Sequence, residues 1–145
     1  MKRFSFRLER LLELRHRQER DLQQQLATIN RQQELIKTKI RQVSEQQRRI
    51  QTAQRSALVG KVVIEDLRMH AGIAQQQDAF VRQLVEELAR AEPARQVAQA
   101  SLLRATAARR ALERLREKAH TRWIQSCRRS ERREEGELLG VGAPE

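Results

Sequence analysis

Met1-Lys-Arg-Phe4-Ser-Phe6-Arg-Leu8-Glu-Arg-Leu11-Leu12-Glu-Leu14-Arg-His16-Arg-Gln-Glu19 decides the fold class of this chain. Two phenylalanines lead into four leucines, with Arg and Glu between them, and the pattern continues. Stepping alternately by four and three from Leu8 visits Leu12, Arg15, Glu19, Leu22, Leu26, Ile29, Gln33, Ile36, Ile40, Val43, Gln47, Ile50, Gln54 and Ala57. Nine of these fifteen positions are large aliphatics, and no step has to be skipped. A repeat of about 3.5 residues held over so many turns places the apolar row on one side of a left-handed supercoil. At about 1.5 Å per residue such a helix extends roughly 80 Å. It needs a partner helix to be stable in water.

The seam stops at Ala57-Leu-Val-Gly60-Lys-Val-Val-Ile64, where β-branched residues and a glycine replace it. Gly60 reads as a helix C-cap. Residues 64–72 read as a short helix, with a strand at 62–64 as the alternative, though no partner strand exists for it. A second seam follows: Val81, Leu84, Leu88, Ala91, Arg95, Ala98, Leu102, Ala105, Arg109, Leu112, Arg116, Ala119 and Trp123. Its alanines permit close helix approach, and its arginines can lay their stems across the seam with their heads in water. Pro93 removes an amide donor, which predicts a bend or a helix restart.

The expected fold is therefore all-α, an antiparallel two-helix coiled-coil hairpin with a short helical break near the turn. A single coiled-coil domain is expected over 1–133, with helices at about 3–57 and 74–132, a break at 58–73 and a flexible tail at 134–145. A turn near residue 65 would set residue n opposite about 131 minus n, with Val43 near Leu88, Ile50 near Val81 and Leu8 near Trp123. A parallel homodimer is the rival, but it gives the break no purpose.

Composition agrees. Of 145 residues, 39% are hydrophobic and 3% aromatic, with five glycines, two prolines and no tyrosine. That is too little aromatic volume and too few turn formers for a layered globular core. Cys127 is the only cysteine, so no intrachain disulfide is expected. The apolar runs are too short to cross a membrane, and Glu9 and Glu13 argue against an N-terminal targeting peptide. A soluble cytoplasmic protein is expected.

No catalytic pattern emerges. His16, His70 and His120 are far apart in sequence, and the glycines form no phosphate loop. Glu86-Glu87 and Glu134-Glu135 are adjacent pairs whose members point apart on a helix. No enzyme activity, metal or cofactor is expected.

Charge is more informative. The net charge is +11, and residues 1–20 with 104–133 hold eighteen basic against six acidic residues. A hairpin would bring these segments together, giving a positive open end and a nearly neutral loop end. One reading is a solvated basic face, and another is an acidic partner. Nucleic acid fits less well, because Leu8, Leu12, Leu112 and Ala119 interleave with the basic residues and no aromatic platform is apparent among scattered Phe4, Phe6, Phe80 and Trp123. Membrane-surface binding by 1–15 is opposed by Glu9 and Glu13. Phe80, Val81 and Leu84 form a second apolar cluster, either core or an exposed protein contact.

The segments Phe4-Ser-Phe6-Arg-Leu-Glu-Arg-Leu-Leu-Glu-Leu-Arg15, Phe80-Val-Arg-Gln-Leu84 after the Gly60 break, and Ala111-Leu-Glu-Arg-Leu-Arg-Glu-Lys118 with Arg-rich 128–133 resemble the flagellar export protein FliJ family. The resemblance implies a stalk of the flagellar type III export apparatus, like the central stalk of rotary ATPases. It implies insertion into, and stimulation of, the hexameric flagellar export ATPase ring. It also implies a link to the export gate protein FlhA, dealings with export chaperones, and a peripheral place on the cytoplasmic face of the inner membrane. Combined with the charge reading, the ring-binding residues are Arg7, Leu8, Arg10, Leu12, Arg116, Lys118, Arg122 and Trp123. Phe80 and Leu84 match the gate-contacting positions. The equivalent stalk of a virulence type III secretion system and a basic nucleic-acid-binding coiled coil are the alternatives.

Overall fold

The computed structural model describes residues 3–140 and contains two helices, α1 (Glu9–Ala57) and α2 (Ile64–Gly140). No strand occurs among the described residues. The fold is the expected all-α antiparallel hairpin.

α1 has no Gly or Pro over its 49 residues, and Gln, Arg, Glu and Leu supply high helix propensity. It begins six residues later than expected, at Glu9, whose amide donates to the Phe6 carbonyl at 3.1 Å. The acidic Glu9 in the first turn and Arg55 in the last complement the helix dipole. The helix ends with the Leu58 amide on the Gln54 carbonyl at 3.0 Å. Gly60 lies beyond that end and no described glycine has a positive φ, so the expected left-handed cap does not form.

The expected break of 58–73 shrinks to 58–63. Val63 presents its carbonyl to the amides of Asp66 and Leu67 at 3.1 and 3.3 Å, and Glu65 and Asp66 occupy the first turn of α2. Acidic residues at that dipole end start the helix at Ile64. α2 then runs through Gly72 and through Pro93 without ending or restarting. Pro93 is on the exposed side, so the carbonyl that loses its donor faces water. Residues 134–140, expected to be flexible, continue α2, and all are exposed. Three glutamates and two leucines, good helix formers, outnumber Gly136 and Gly140 there, so local propensity extends the helix. The rest of the expected tail, 141–145, lies outside the described residues.

The chain divides into two compact units. One is Gln23–Ala100, containing the connector, and the other joins the N-terminal segment to Leu22 with the stretch from Ser101 onward. In Gln23–Ala100, Leu84 is 4% exposed and Gln33 5%. Around them Leu26, Ile29, Ile36, Ile40, Val43 and Ile50 of α1 are half-buried, as are Val81, Leu88, Ala91 and Ala98 of α2. These are the two seams read from sequence. The pairing, however, is shifted. The Gln33 side-chain amide donates to Glu92 Oε2 at 3.1 Å and that of Gln47 to Asp78 Oδ1 at 2.9 Å. Both pairs of residue numbers sum to 125 rather than 131. The shorter connector moves the turn toward the N-terminus and slides α2 by most of a heptad.

Candidate functional site: the basic end

The second unit collects both basic segments. Its seam is Leu12, 3% exposed, with half-buried Arg15, Leu22, Leu102, Ala105, Leu112, Ala119 and Trp123. The centre of this seam is polar. Glu19, 8% exposed, accepts a hydrogen bond from the Thr106 hydroxyl at 2.7 Å and a second from Arg109 Nε. Arg109 also reaches Glu113 Oε1 at 2.7 Å, and His16 Nε2 lies 3.5 Å from the same oxygen. One turn further out, Arg116 Nε meets Glu9 Oε2 at 3.1 Å. Each half-buried carboxylate thus faces a guanidinium, which offsets the cost of removing it from water. The expectation that seam arginines keep their heads in water fails at Arg109, because Glu19 stands opposite it.

An aromatic cluster closes one side. The Phe4 ring sits edge-on to His120 with centroids 4.9 Å apart and 5.8 Å from Trp123, and His120 stacks on Trp123 at 5.9 Å. Reaching these rings holds residues 3–6 out of helical structure, which explains the late start of α1. These aromatics are scattered along the sequence. The antiparallel pairing brings Phe4 and Trp123 together.

Every residue expected at the ring-binding end lies in this unit. Arg7, Arg10, Lys118 and Arg122 are exposed and form no ion pair among the described residues. Leu8 is 38% exposed, Leu12 is core, Trp123 is in the aromatic cluster, and Arg116 is engaged by Glu9. Glu19, Thr106 and Arg109 were not anticipated as a group. Phe80 and Leu84 belong to the other unit, Gln23–Ala100, and they separate: Phe80 is 46% exposed, whereas Leu84 is core. That unit holds twelve basic and eight acidic residues, a smaller excess than in the two basic segments. No cluster of potential metal ligands and no helix long and apolar enough to cross a membrane occur among the described residues.

Two antiparallel helices with a polar-centred seam and a basic end define an all-α coiled-coil hairpin. A family model described as Flagellar FliJ protein matches residues 4–139, and the chain belongs to that family. It is therefore a coiled-coil protein associated with flagellar protein export, in a family of non-catalytic structural proteins. No curated protein and no solved structure matches the chain.

The two carboxylates held in the seams respond to acid. The Thr106 hydroxyl, then Arg109, hold the Glu19 carboxyl below its ordinary value against the opposing effect of burial. In the other unit Arg95, then Gln33, bring Glu92 from 4.5 to about 2. Carboxylates depressed in the folded state contribute stability above their unfolded value and lose it as pH falls through the folded one. The melting temperature of the wild type should therefore fall between about pH 5 and about pH 2. Glu19→Gln should melt lower than wild type near neutrality and lose less on acidification, as followed by circular dichroism.

Proposed function

We propose that the basic unit is the end of the protein that enters and stimulates the hexameric flagellar export ATPase. The observation that carries this reading is that residues 1–20 and 104–133, with eighteen basic and six acidic residues, fold into one unit. Glu9, Glu19 and Glu113 pair with Arg116 and Arg109, whereas Arg7, Arg10, Lys118 and Arg122 remain open to a partner. Leu12 and Trp123 act by packing this end, with Leu8 at its edge.

The export gate protein FlhA is the proposed partner of the other unit, with Phe80 as the contact and Leu84 in the core of that unit. Export chaperones and a peripheral position on the cytoplasmic face of the inner membrane follow from the same family reading. The flagellar family match favours this apparatus over a virulence secretion system.

Replacing Arg7, Arg10, Lys118 and Arg122 together by Gln should leave helicity intact, since Gln is a good helix former. It should reduce stimulation of the cognate ATPase by roughly tenfold or more, and wild-type stimulation should weaken as salt shortens the screening length. Undiminished stimulation by the variant would reduce these residues to a solvated face. Absence of stimulation by wild type, with salt-dependent binding to duplex DNA, would replace the reading with nucleic-acid binding.

Phe80→Ala should weaken binding to the gate's cytoplasmic domain while shifting the melting temperature little, because Phe80 is half exposed. A large loss of stability with unchanged affinity would assign Phe80 to the core instead.

A further inference from the structure

The two sides of the helix pair in the basic unit are unlike. One side is closed by the Arg116–Glu9 and His16–Glu113 contacts and by Phe4 on His120. The other carries an open groove, lined from α1 by Arg15, Gln18, Asp21 and Leu22 and from α2 by Ser101, Arg104, Ala105 and Ala108. Heptad steps extend this groove toward the N-terminus of α1. Seven residues from Gln18 is Leu11, and seven from Asp21 is Leu14; seven from Arg104 is Ala111, and seven from Ala108 is Leu115. The same two faces thus carry larger apolar side chains beyond the groove. Leu11, Leu14 and Leu115 are 37%, 49% and 50% exposed there. The numbers of Leu11 and Leu115 sum to 126, close to the 125 of Glu19 and Thr106, so the two leucines face each other across the pair. These leucines flank the seam instead of filling it.

Charge selects the occupant. One further heptad step reaches Arg7 from Leu14, Lys118 from Ala111 and Arg122 from Leu115, and none of the three has an ion pair among the described residues. Asp21, beside Arg104, is the one acidic group lining the groove. A second copy of this chain would set these cations against their own kind. A bilayer is flat, whereas the leucines border a trough between two helices. A third helix fills such a trough by ordinary packing, with large apolar side chains seated between the ridges of the first two.

We infer that the Leu11–Leu14–Leu115 face of the basic unit binds an amphipathic α-helix with acidic flanks, contributed by a partner protein, as the third helix of a local bundle. This rests on the reading of the basic unit as the docking end and supplies the chemistry of what docks there. The apolar stripe of the bound helix contacts the three leucines and the alanines, and its carboxylates meet Arg7, Lys118 and Arg122.

The test reads binding directly, so its failure is distinct from any failure to stimulate the ATPase. The probe is a three-heptad fluorescent peptide with Leu at the seam positions and Glu on the flanks, compared with a scrambled peptide of the same composition. Full-length protein should bind the patterned peptide at least tenfold more tightly than the scrambled one. Leu11→Gln/Leu14→Gln/Leu115→Gln should remove that preference. Leu35→Gln/Val97→Gln, which changes exposed apolar residues of the other unit, should keep it. Equal binding of the two peptides, or undiminished preference in the triple variant, would overturn the proposal. So would wild-type dimerisation that the triple variant abolishes and the peptide leaves unaffected, which would give the face to a second copy.

Discussion

The pairing of Glu19 with Thr106 and Arg109 is the interaction on which the basic end depends. A two-helix seam of Leu and Ala repeating every seven residues packs almost as well after a slide of one heptad. Apolar contacts alone therefore specify register weakly. A buried carboxylate is more exacting. One heptad in one direction would bring Gln99 and Leu102 to Glu19, and one in the other would bring Arg116 together with Glu113, a like charge. Only the observed register gives Glu19 a hydroxyl and a guanidinium together. Gln33 with Glu92 and Gln47 with Asp78 do the same in Gln23–Ala100. These polar contacts replace apolar ones within the seam and return a unique alignment in exchange.

Register decides what the basic end presents. With Glu9 on Arg116 and Phe4 on His120 and Trp123, one side of the helix pair is closed, and the N-terminal segment is tied to α2. Glu9, Glu19 and Glu113 are drawn into the pair, whereas Arg7, Arg10, Lys118 and Arg122 stay exposed without an ion pair among the described residues. The same alignment sets Leu11 across from Leu115 beside an alanine-lined groove. The partner helix proposed for this face would need no rearrangement of the pair, because both the cations and the leucines are already in place.

Much of the fold was readable in the residues. The four-three stepping from Leu12 to Gln54 and from Val81 to Trp123 names nearly every residue the structure buries, because a two-helix seam leaves no other way to hide apolar surface. The family was readable in Phe4–Arg15 and is shown by the match over 4–139. The expected helix pairing differs from the observed one through one quantity. An offset of 131 sets Glu19 opposite Leu112 and Gln33 opposite Ala98, where neither finds a partner. An offset of 125 sets them opposite Thr106 and Glu92. The extra residues came from assigning 64–73 to the break, although Glu65 and Asp66 mark a helix start. The Phe4–His120–Trp123 cluster was hidden for a different reason. It joins residues more than a hundred positions apart, one of them outside any helix, and periodicity carries no information about such a contact.

The central claim is that the buried polar layer fixes the register of the basic unit. Pulsed dipolar spectroscopy can measure this between spin labels at Arg17 and Arg110, which are exposed and lie in that unit, in a Cys127→Ser background. The wild type should give one narrow distance distribution. Glu19→Leu/Thr106→Val/Arg109→Leu should remain helical but show a second population, displaced by up to roughly 10 Å, the length of a heptad at about 1.5 Å per residue. A single unchanged narrow distribution in the apolar variant would contradict the account, since the seam alone would then suffice to align the helices.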